Sequence, residues 1–113
     1  MSNQSNSPSF KNKAEMVVQV EFTGLGRSMV GERQKTLTLP AGTDYHGLIH
    51  QLADLFPGLV GIVIAANHEE LLNANLISRN GEELIMPEML ERCPENGDRL
   101  TLLSIIVGGS KGK

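Results

Sequence analysis

The chain has 113 residues and a net charge of −3, and its 40% apolar content is typical of one small globular domain. Ten basic against thirteen acidic residues give no excess of positive charge, which argues against a nucleic-acid-binding protein and against a polybasic membrane binder. The one cysteine, Cys93, excludes an internal disulfide and a cysteine-based metal or iron–sulfur site. With no apolar run long enough for a signal peptide or a membrane span, we expect a reducing, cytoplasmic setting.

The N-terminal third predicts a leader and a hairpin. Residues 1–14 are mostly polar and are expected to be disordered, because they cannot bury enough apolar surface to offset ordering. Met16–Thr23 alternates apolar and polar residues, as a strand does. Gly24–Arg33 contains three glycines and predicts a loop, and Arg33–Pro40 alternates again and ends at a proline.

An amphipathic helix is the strongest local prediction. Thr43 is the expected N-cap, with Asp44 in the first turn, where a negative charge favours the helix dipole. Pro57 and Gly58 end the helix. Its apolar face has helical spacing and comprises Tyr45, Leu48, Ile49, Leu52, Leu55 and Phe56.

The second half of the chain predicts a further hairpin and a central strand. Residues 57–70 combine Val/Ile content with a helix-like end, so a strand and a helical turn both remain open there. Asn80-Gly81 is the commonest sequence for a tight hairpin turn. Asp98–Val107 is apolar on both faces, which suits the centre of a sheet.

These elements predict an α+β fold of the β-grasp, or ubiquitin-like, class. The order is strand, strand, helix, strand, short strand, strand. If the first and last strands lie side by side in parallel at the centre, one main helix can cross a mixed sheet of four to five strands. We expect residues 15–107 to form this domain and residues 108–113 to form a flexible tail.

Side chains that could carry enzymatic chemistry are few and weakly patterned. The Gly24-Leu25-Gly26 stretch lies between two strands, so a hairpin loop is favoured over a phosphate-binding loop. His46 and His50 are four residues apart on the helix, but no third ligand is assured, which favours a solvated pair over a metal site. Cys93 has no histidine at a motif spacing, so a passive thiol is favoured over a nucleophile.

The C-terminal sequence "SIIVGGSKGK" carries a sharper signal. A backbone carboxylate that must reach the α-phosphate of ATP in a narrow cleft is helped by two residues without side chains, and Gly108-Gly109 meets that need. The aliphatic residues before the glycines, Ile105 and Val107 among them, end the last predicted strand; we call this strand end the stem. They could dock it on a partner. Taken alone, the dipeptide is also ordinary linker composition.

The stretches "VVQVEF", "LPAGTDYHGLIHQLADLFPGL", "RNGEEL" and "NGDRLTLLSIIVGG", in this order, resemble the sulfur-carrier proteins. These are the small subunit of molybdopterin synthase (MoaD) and the thiamine-pathway carrier (ThiS). The resemblance covers about residues 15–109 and implies that a ubiquitin-activating-type enzyme uses ATP to adenylate Gly109, after which sulfur replaces AMP to give a thiocarboxylate. It also implies that Gly108 threads the cleft of that enzyme and that Phe22 and Leu103 contact a partner.

One departure from those carriers is that residues 110–113 follow Gly109. As encoded, they block its carboxylate, so we expect a peptidase, of the zinc-dependent JAMM type, to cut between Gly109 and Ser110. A synthase large subunit is a further possible partner, and the chain itself is expected to bind no cofactor and no metal. Two alternatives stay open: a ubiquitin-like protein modifier, and a β-grasp interaction module without tail chemistry.

Overall fold

The structure is a computed structural model that describes residues 15–72 and 74–105. Five strands form one sheet: β1 (Glu15–Phe22), β2 (Gln34–Pro40), β3 (Asn75–Arg79), β4 (Glu83–Ile85) and β5 (Arg99–Ser104). The α-helices are α1 (Gly24–Val30) and α2 (Tyr45–Leu55), and short 3-10 helices cover Pro57–Leu59 and Pro87–Met89. The whole predicted leader, the predicted tail and the last two residues of the predicted domain lie outside the described residues.

The sheet has the strand order β2-β1-β5-β3-β4, so β5 is central. Strand β5 runs parallel to β1 from Gln19 opposite Arg99 to Phe22 opposite Leu102, whereas the other neighbouring pairs are antiparallel. This confirms the predicted parallel pair of first and last strands. Because one face of the sheet is covered by α2, side chains on alternate positions of each strand are buried.

Helix α2 buries the apolar face that the spacing of its apolar residues predicts. Tyr45, Leu48, Ile49 and Leu52 are at most 1% exposed and pack with the inward side chains of the sheet. Leu55, at the end of the predicted stripe, is 41% exposed and therefore lies outside the core.

The N-cap of α2 differs from the prediction by one residue. Asp44 is the N-cap, and its side chain accepts a hydrogen bond of 2.8 Å from the backbone N–H of Gly47. The Thr43 hydroxyl instead donates to the Pro40 carbonyl at 2.6 Å, which closes the turn before the helix.

The predicted loop at residues 24–33 is wrong for most of its length, because α1 forms there. Gly26 is buried against β5, where an added Cβ would lie 3.1 Å from Leu102 Cδ2. Gly31 ends the helix at φ 80°, in the left-handed region that favours glycine. Two of the three glycines thus serve packing and capping of a short helix, which their composition alone does not reveal.

The segment between α2 and β3 is neither a regular strand nor an α-helix. After the 3-10 helix it continues through turns with isolated bridges that pair Ile64 with Val60 and with Leu71. Leu59, Val63 and Ile64 are fully buried, so the segment completes the core. None of the helices in residues 15–72 and 74–105 has the length and apolarity needed to cross a membrane.

The loop before β5 fixes where the central strand begins. The carboxylate of Asp98 accepts hydrogen bonds from Arg79 Nε at 2.8 Å, Asn80 Nδ2 at 3.1 Å and the Glu95 N–H at 2.9 Å. The Asp98 carbonyl accepts from the N–H of Gln19 on β1. The turn thereby ties β5 to both of its neighbouring strands.

Candidate functional site at the end of the central strand

Hydrogen bonds hold the end of β5 on both sides as far as Ile105. On the β1 side, the Leu102 carbonyl accepts from the Thr23 N–H at 3.3 Å and from the Thr23 hydroxyl at 2.7 Å. On the β3 side, the Ser104 hydroxyl donates to Asn75 Oδ1 at 2.8 Å, and the Ile105 N–H donates to the Ala74 carbonyl. The chain is therefore firmly anchored just before the segment that contains the two glycines.

Beside this anchored end, the outer face of the sheet carries apolar side chains. Leu103 pairs with Leu76 across β5 and β3, and both are half-buried. Leu84 on β4 is 45% exposed and Ile105 is 38% exposed. We name these four residues the outer patch; aliphatic side chains grouped on a sheet surface are a feature of protein–protein contacts.

The predicted site residues fall into two groups. Gly108, Gly109, Ser110 and Val107 lie outside the described residues, so their roles stay predictions. Leu103 and Ile105, predicted to contact a partner, share the outer face of the sheet, since alternate residues of a strand point the same way.

Phe22, which the resemblance to the sulfur carriers placed at a partner surface, lies in the core. It is 2% exposed and packs edge-to-face against Phe56, with ring centroids 5.5 Å apart. The physical reason is its position in β1, where it follows the buried series Met16, Val18 and Val20. Its side chain therefore belongs to the core.

Leu76 and Leu84 were not selected from the sequence, although a signal for them exists. Each stands next to a buried isoleucine, Ile77 or Ile85, in the two strands that flank the Asn80-Gly81 turn. In a two-residue alternation the neighbour of a buried residue faces outward. Applying that rule on both sides of the turn places the two leucines on the face of Leu103.

The histidines and the cysteine have local partners. His46 is half-buried, with its Nδ1 2.8 Å from the Glu69 carbonyl oxygen, and His50 Nε2 lies 3.7 Å from Asp54 Oδ2. The Cys93 thiol is exposed and donates to the Gly42 carbonyl at 3.3 Å. Within residues 15–72 and 74–105, no three His, Cys, Asp or Glu side chains are grouped so that they could hold a metal ion.

Neither a model of a known protein family nor a curated protein matches this sequence. Solved structures do match its fold. The crystal structure of SAMP1 from Haloferax volcanii superposes with a TM-score of 0.69 at 20% identity, covering 82% of this chain and 99% of that chain. The chain has the β-grasp fold.

Two further β-grasp structures extend this likeness. The solution structure of the small archaeal modifier protein SAMP1 from Methanosarcina acetivorans has a TM-score of 0.67 at 23% identity, covering 84% of this chain and 98% of that chain. A putative molybdopterin converting factor subunit 1 from Pyrococcus furiosus has a TM-score of 0.62 at 16% identity, covering 80% of this chain and 99% of that chain. At these identities the likeness is one of fold, and each neighbour's function is its own.

Proposed function

We propose that this protein is a sulfur carrier whose reactive group is the C-terminal carboxylate of Gly109, exposed when residues 110–113 are removed. The observation that carries the proposal is the anchoring of the central strand. Strand β5 is held on both sides up to Ile105, and Gly108 follows only three positions later in the sequence. A strand end that is held in place three residues before two glycines can help to present a narrow backbone to a partner.

The chemistry proceeds in three steps. Hydrolysis of the Gly109–Ser110 peptide bond, by a peptidase such as the JAMM type, gives the free carboxylate. A carboxylate oxygen then attacks the α-phosphorus of ATP in a ubiquitin-activating-type enzyme, and pyrophosphate leaves. Sulfide attacks the acyl carbon of this adenylate and expels AMP, so a carbon–sulfur bond replaces the carbon–oxygen bond to AMP and the thiocarboxylate is formed. Each step uses only the backbone of Gly109, so the domain supplies binding and positioning.

The outer patch is the surface on which we place the activating enzyme or a synthase large subunit. Leu103 and Ile105 lie on the strand that leads to the glycines, and Leu76 and Leu84 widen the apolar area beside them. Burying such side chains favours association through the hydrophobic effect, and the part that exceeds the entropy cost of binding appears as affinity. A partner bound there would lie close to the end of β5 and could reach the reactive Gly109 that follows it in the sequence.

The test is mass spectrometry of the chain ending at Gly109 after incubation with the activating enzyme, ATP and sulfide. The proposal expects the mass change of one oxygen-to-sulfur exchange on the C-terminal peptide. Gly109→Val should abolish it, because a β-branched side chain widens and stiffens the end that enters the cleft. Gly58→Val is the matched control, since a Cβ at exposed Gly58 would meet no atom within 4 Å. An unmodified wild-type chain, under conditions in which the enzyme activates its own carrier, would contradict the proposal.

A ubiquitin-like modifier is the second candidate, and a specific observation favours it. Two of the structural neighbours are described as small archaeal modifier proteins. The adenylation step would be the same, but the Gly109 acyl group would pass to a lysine amine and form an isopeptide bond. Higher-mass adducts that survive denaturing gels and carry a lysine-linked glycine remnant would favour this candidate over the carrier.

A further inference from the structure

We propose that a two-arginine groove beside the anchored end of β5 binds an acidic segment of a partner protein. The partner's identity rests on the proposed function, whereas the charge recognition itself does not. The groove has a volume of about 430 Å³ and lies where the β1–β2 pairing ends, at Glu21 opposite Gln34, next to α1. It is lined by Glu21, Phe22, Thr23, Arg27, Arg33 and Gln34.

Backbone hydrogen bonds place both arginines beside the C-terminal end of β1. The carbonyl of Arg33 accepts from the Phe22 N–H at 2.8 Å. The N–H of Arg27 donates to the carbonyl of the next residue, Thr23, at 3.3 Å. The side chains are exposed, and both line one groove from backbone positions fixed beside the end of β1.

The charges of these arginines are not balanced by carboxylates in the part of the chain that the structure describes. Arg79, Arg92 and Arg99 each have a carboxylate oxygen within 4 Å, whereas Arg27 and Arg33 have no ion pair or side-chain hydrogen bond among residues 15–72 and 74–105. The same holds for Lys35, which adjoins the groove residue Gln34 on β2.

The acidic side chains near the groove do not supply that balance. The Glu21 carboxylate accepts from the Thr101 hydroxyl at 3.2 Å and lies 3.7 Å from Arg99 Nε, so it is already engaged. Glu32 is exposed and does not line the groove. Two guanidinium groups thus remain for an anion from outside, and each can bind a carboxylate through two parallel hydrogen bonds.

An acidic protein segment suits this site better than a nucleic acid does. The whole chain is acidic, with a net charge of −3, so a long polyanion would be repelled over most of the surface. The groove is also continuous with the stem, because Thr23 lines it and also holds the Leu102 carbonyl. A protein that grasps the stem would cover the groove, and carboxylates at that point would set its orientation.

The direct probe is a synthetic acetylated hexapeptide of alternating Asp and Glu, titrated into the full 15N-labelled chain and followed by NMR. The Asn/Gln hexapeptide of the same order is the control ligand. We expect saturable shifts of the Thr23, Arg27, Arg33 and Gln34 amides and of the two arginine Nε–H signals with the acidic peptide only. Shifts of equal size at Arg79 and Arg92, which do not line the groove, or no shifts at all, would contradict the proposal.

A charge-matched pair of variants separates a specific site from general attraction. Arg27→Gln/Arg33→Gln should weaken peptide binding by about tenfold or more, as expected for loss of charge-assisted hydrogen bonds. Arg92→Glu, at an exposed residue that does not line the groove, changes the net charge by the same two units and should change the affinity by less than about threefold. Equal losses in the two variants would overturn the proposal.

Inorganic pyrophosphate is the competing probe. If pyrophosphate binds the two arginines and the acidic peptide does not, the groove is a phosphate site and the proposal fails. Since this titration uses no activating enzyme and no tail chemistry, its failure leaves the sulfur-carrier proposal untouched. Conversely, a chain that binds the peptide at the groove but is never adenylated would count against the carrier alone.

Discussion

Thr23 donates both its backbone N–H and its hydroxyl to the carbonyl of Leu102, and this double contact ties the end of β1 to the end of β5. The contact joins residues 79 positions apart in the sequence. It lies at the place where the central strand approaches the proposed reactive segment. The position of the end of β5 therefore depends on Thr23, a residue that lies outside both β5 and the C-terminal tail.

Replacing Thr23 with Val removes the hydroxyl and keeps the shape of the side chain. We expect the free energy of unfolding to fall by about 1 kcal/mol, the usual net value of one such hydrogen bond. Urea denaturation measures it, with Thr38→Val at an exposed position of β2 as the control. A loss no larger than that of the control would show that the hydroxyl does not help to hold the stem.

Leu52→Ala tests the assignment of the buried face of α2. Leu52 is 1% exposed, so the truncation should lower the free energy of unfolding by about 2–5 kcal/mol through lost burial and a cavity. Leu55→Ala, three positions later and 41% exposed, should cost less than about 1 kcal/mol. Chemical denaturation of the two variants compares them directly, and equal losses would mean that the helix face is wrongly assigned.

The turn before β5 should make the free energy of unfolding decrease at acid pH. Burial disfavours the carboxylate of Asp98, which is 7% exposed, but hydrogen bonds from Arg79, the Glu95 N–H and Asn80 outweigh this and lower its pKa. In that case the unfolded chain binds the proton more tightly than the folded one. The stabilisation is complete above the unfolded pKa of about 3.9 and is lost as pH falls through the lower folded pKa.

Asp98→Asn is the variant that isolates this effect. It should destabilise the domain by about 2–3 kcal/mol at neutral pH, because hydrogen bonds to a charged group are lost. The difference from the wild type should shrink as the pH falls below about 4. Asp54→Asn, at an exposed carboxylate, should cost less than about 1 kcal/mol. A difference between Asp98→Asn and wild type that does not change with pH would contradict the assignment.

The fold was predictable where the pattern is local. The spacing of Leu48, Ile49 and Leu52 and the two-sided apolar character of β5 are properties of short windows, and the structure confirms both. Helix α1 was not predictable in this way. Gly26 is needed because Leu102, which is distant in sequence, packs against it, and no local pattern records that contact.

The candidate site was predictable in part for the same reason. Alternation along β5 places Leu103 and Ile105 on one face, and the same rule applied to β1 would have placed Phe22 in the core. The groove of Arg27 and Arg33 could not be predicted, because it exists only once α1 and β2 meet the end of β1.

The outer patch should contribute to recognition by the activating enzyme. Leu103→Ala should raise the KM for adenylation of the chain ending at Gly109 by roughly tenfold with little change in kcat, as for an apolar contact residue in an interface. Val17→Ala, on the same face near the other end of β1, is the control and should leave KM within about twofold. Equal effects of the two substitutions would show that the outer patch does not contribute specifically to recognition by the activating enzyme.

The central claim is that Gly109 becomes a free, reactive C-terminus. The most direct measurement is the intact mass of this protein recovered from the cells that naturally produce it, with the C-terminal peptide sequenced by fragmentation. The account predicts chains that end at Gly109, a fraction of them with sulfur in place of one carboxylate oxygen. Chains that all retain Lys113, with no trace ending at Gly109, would contradict it.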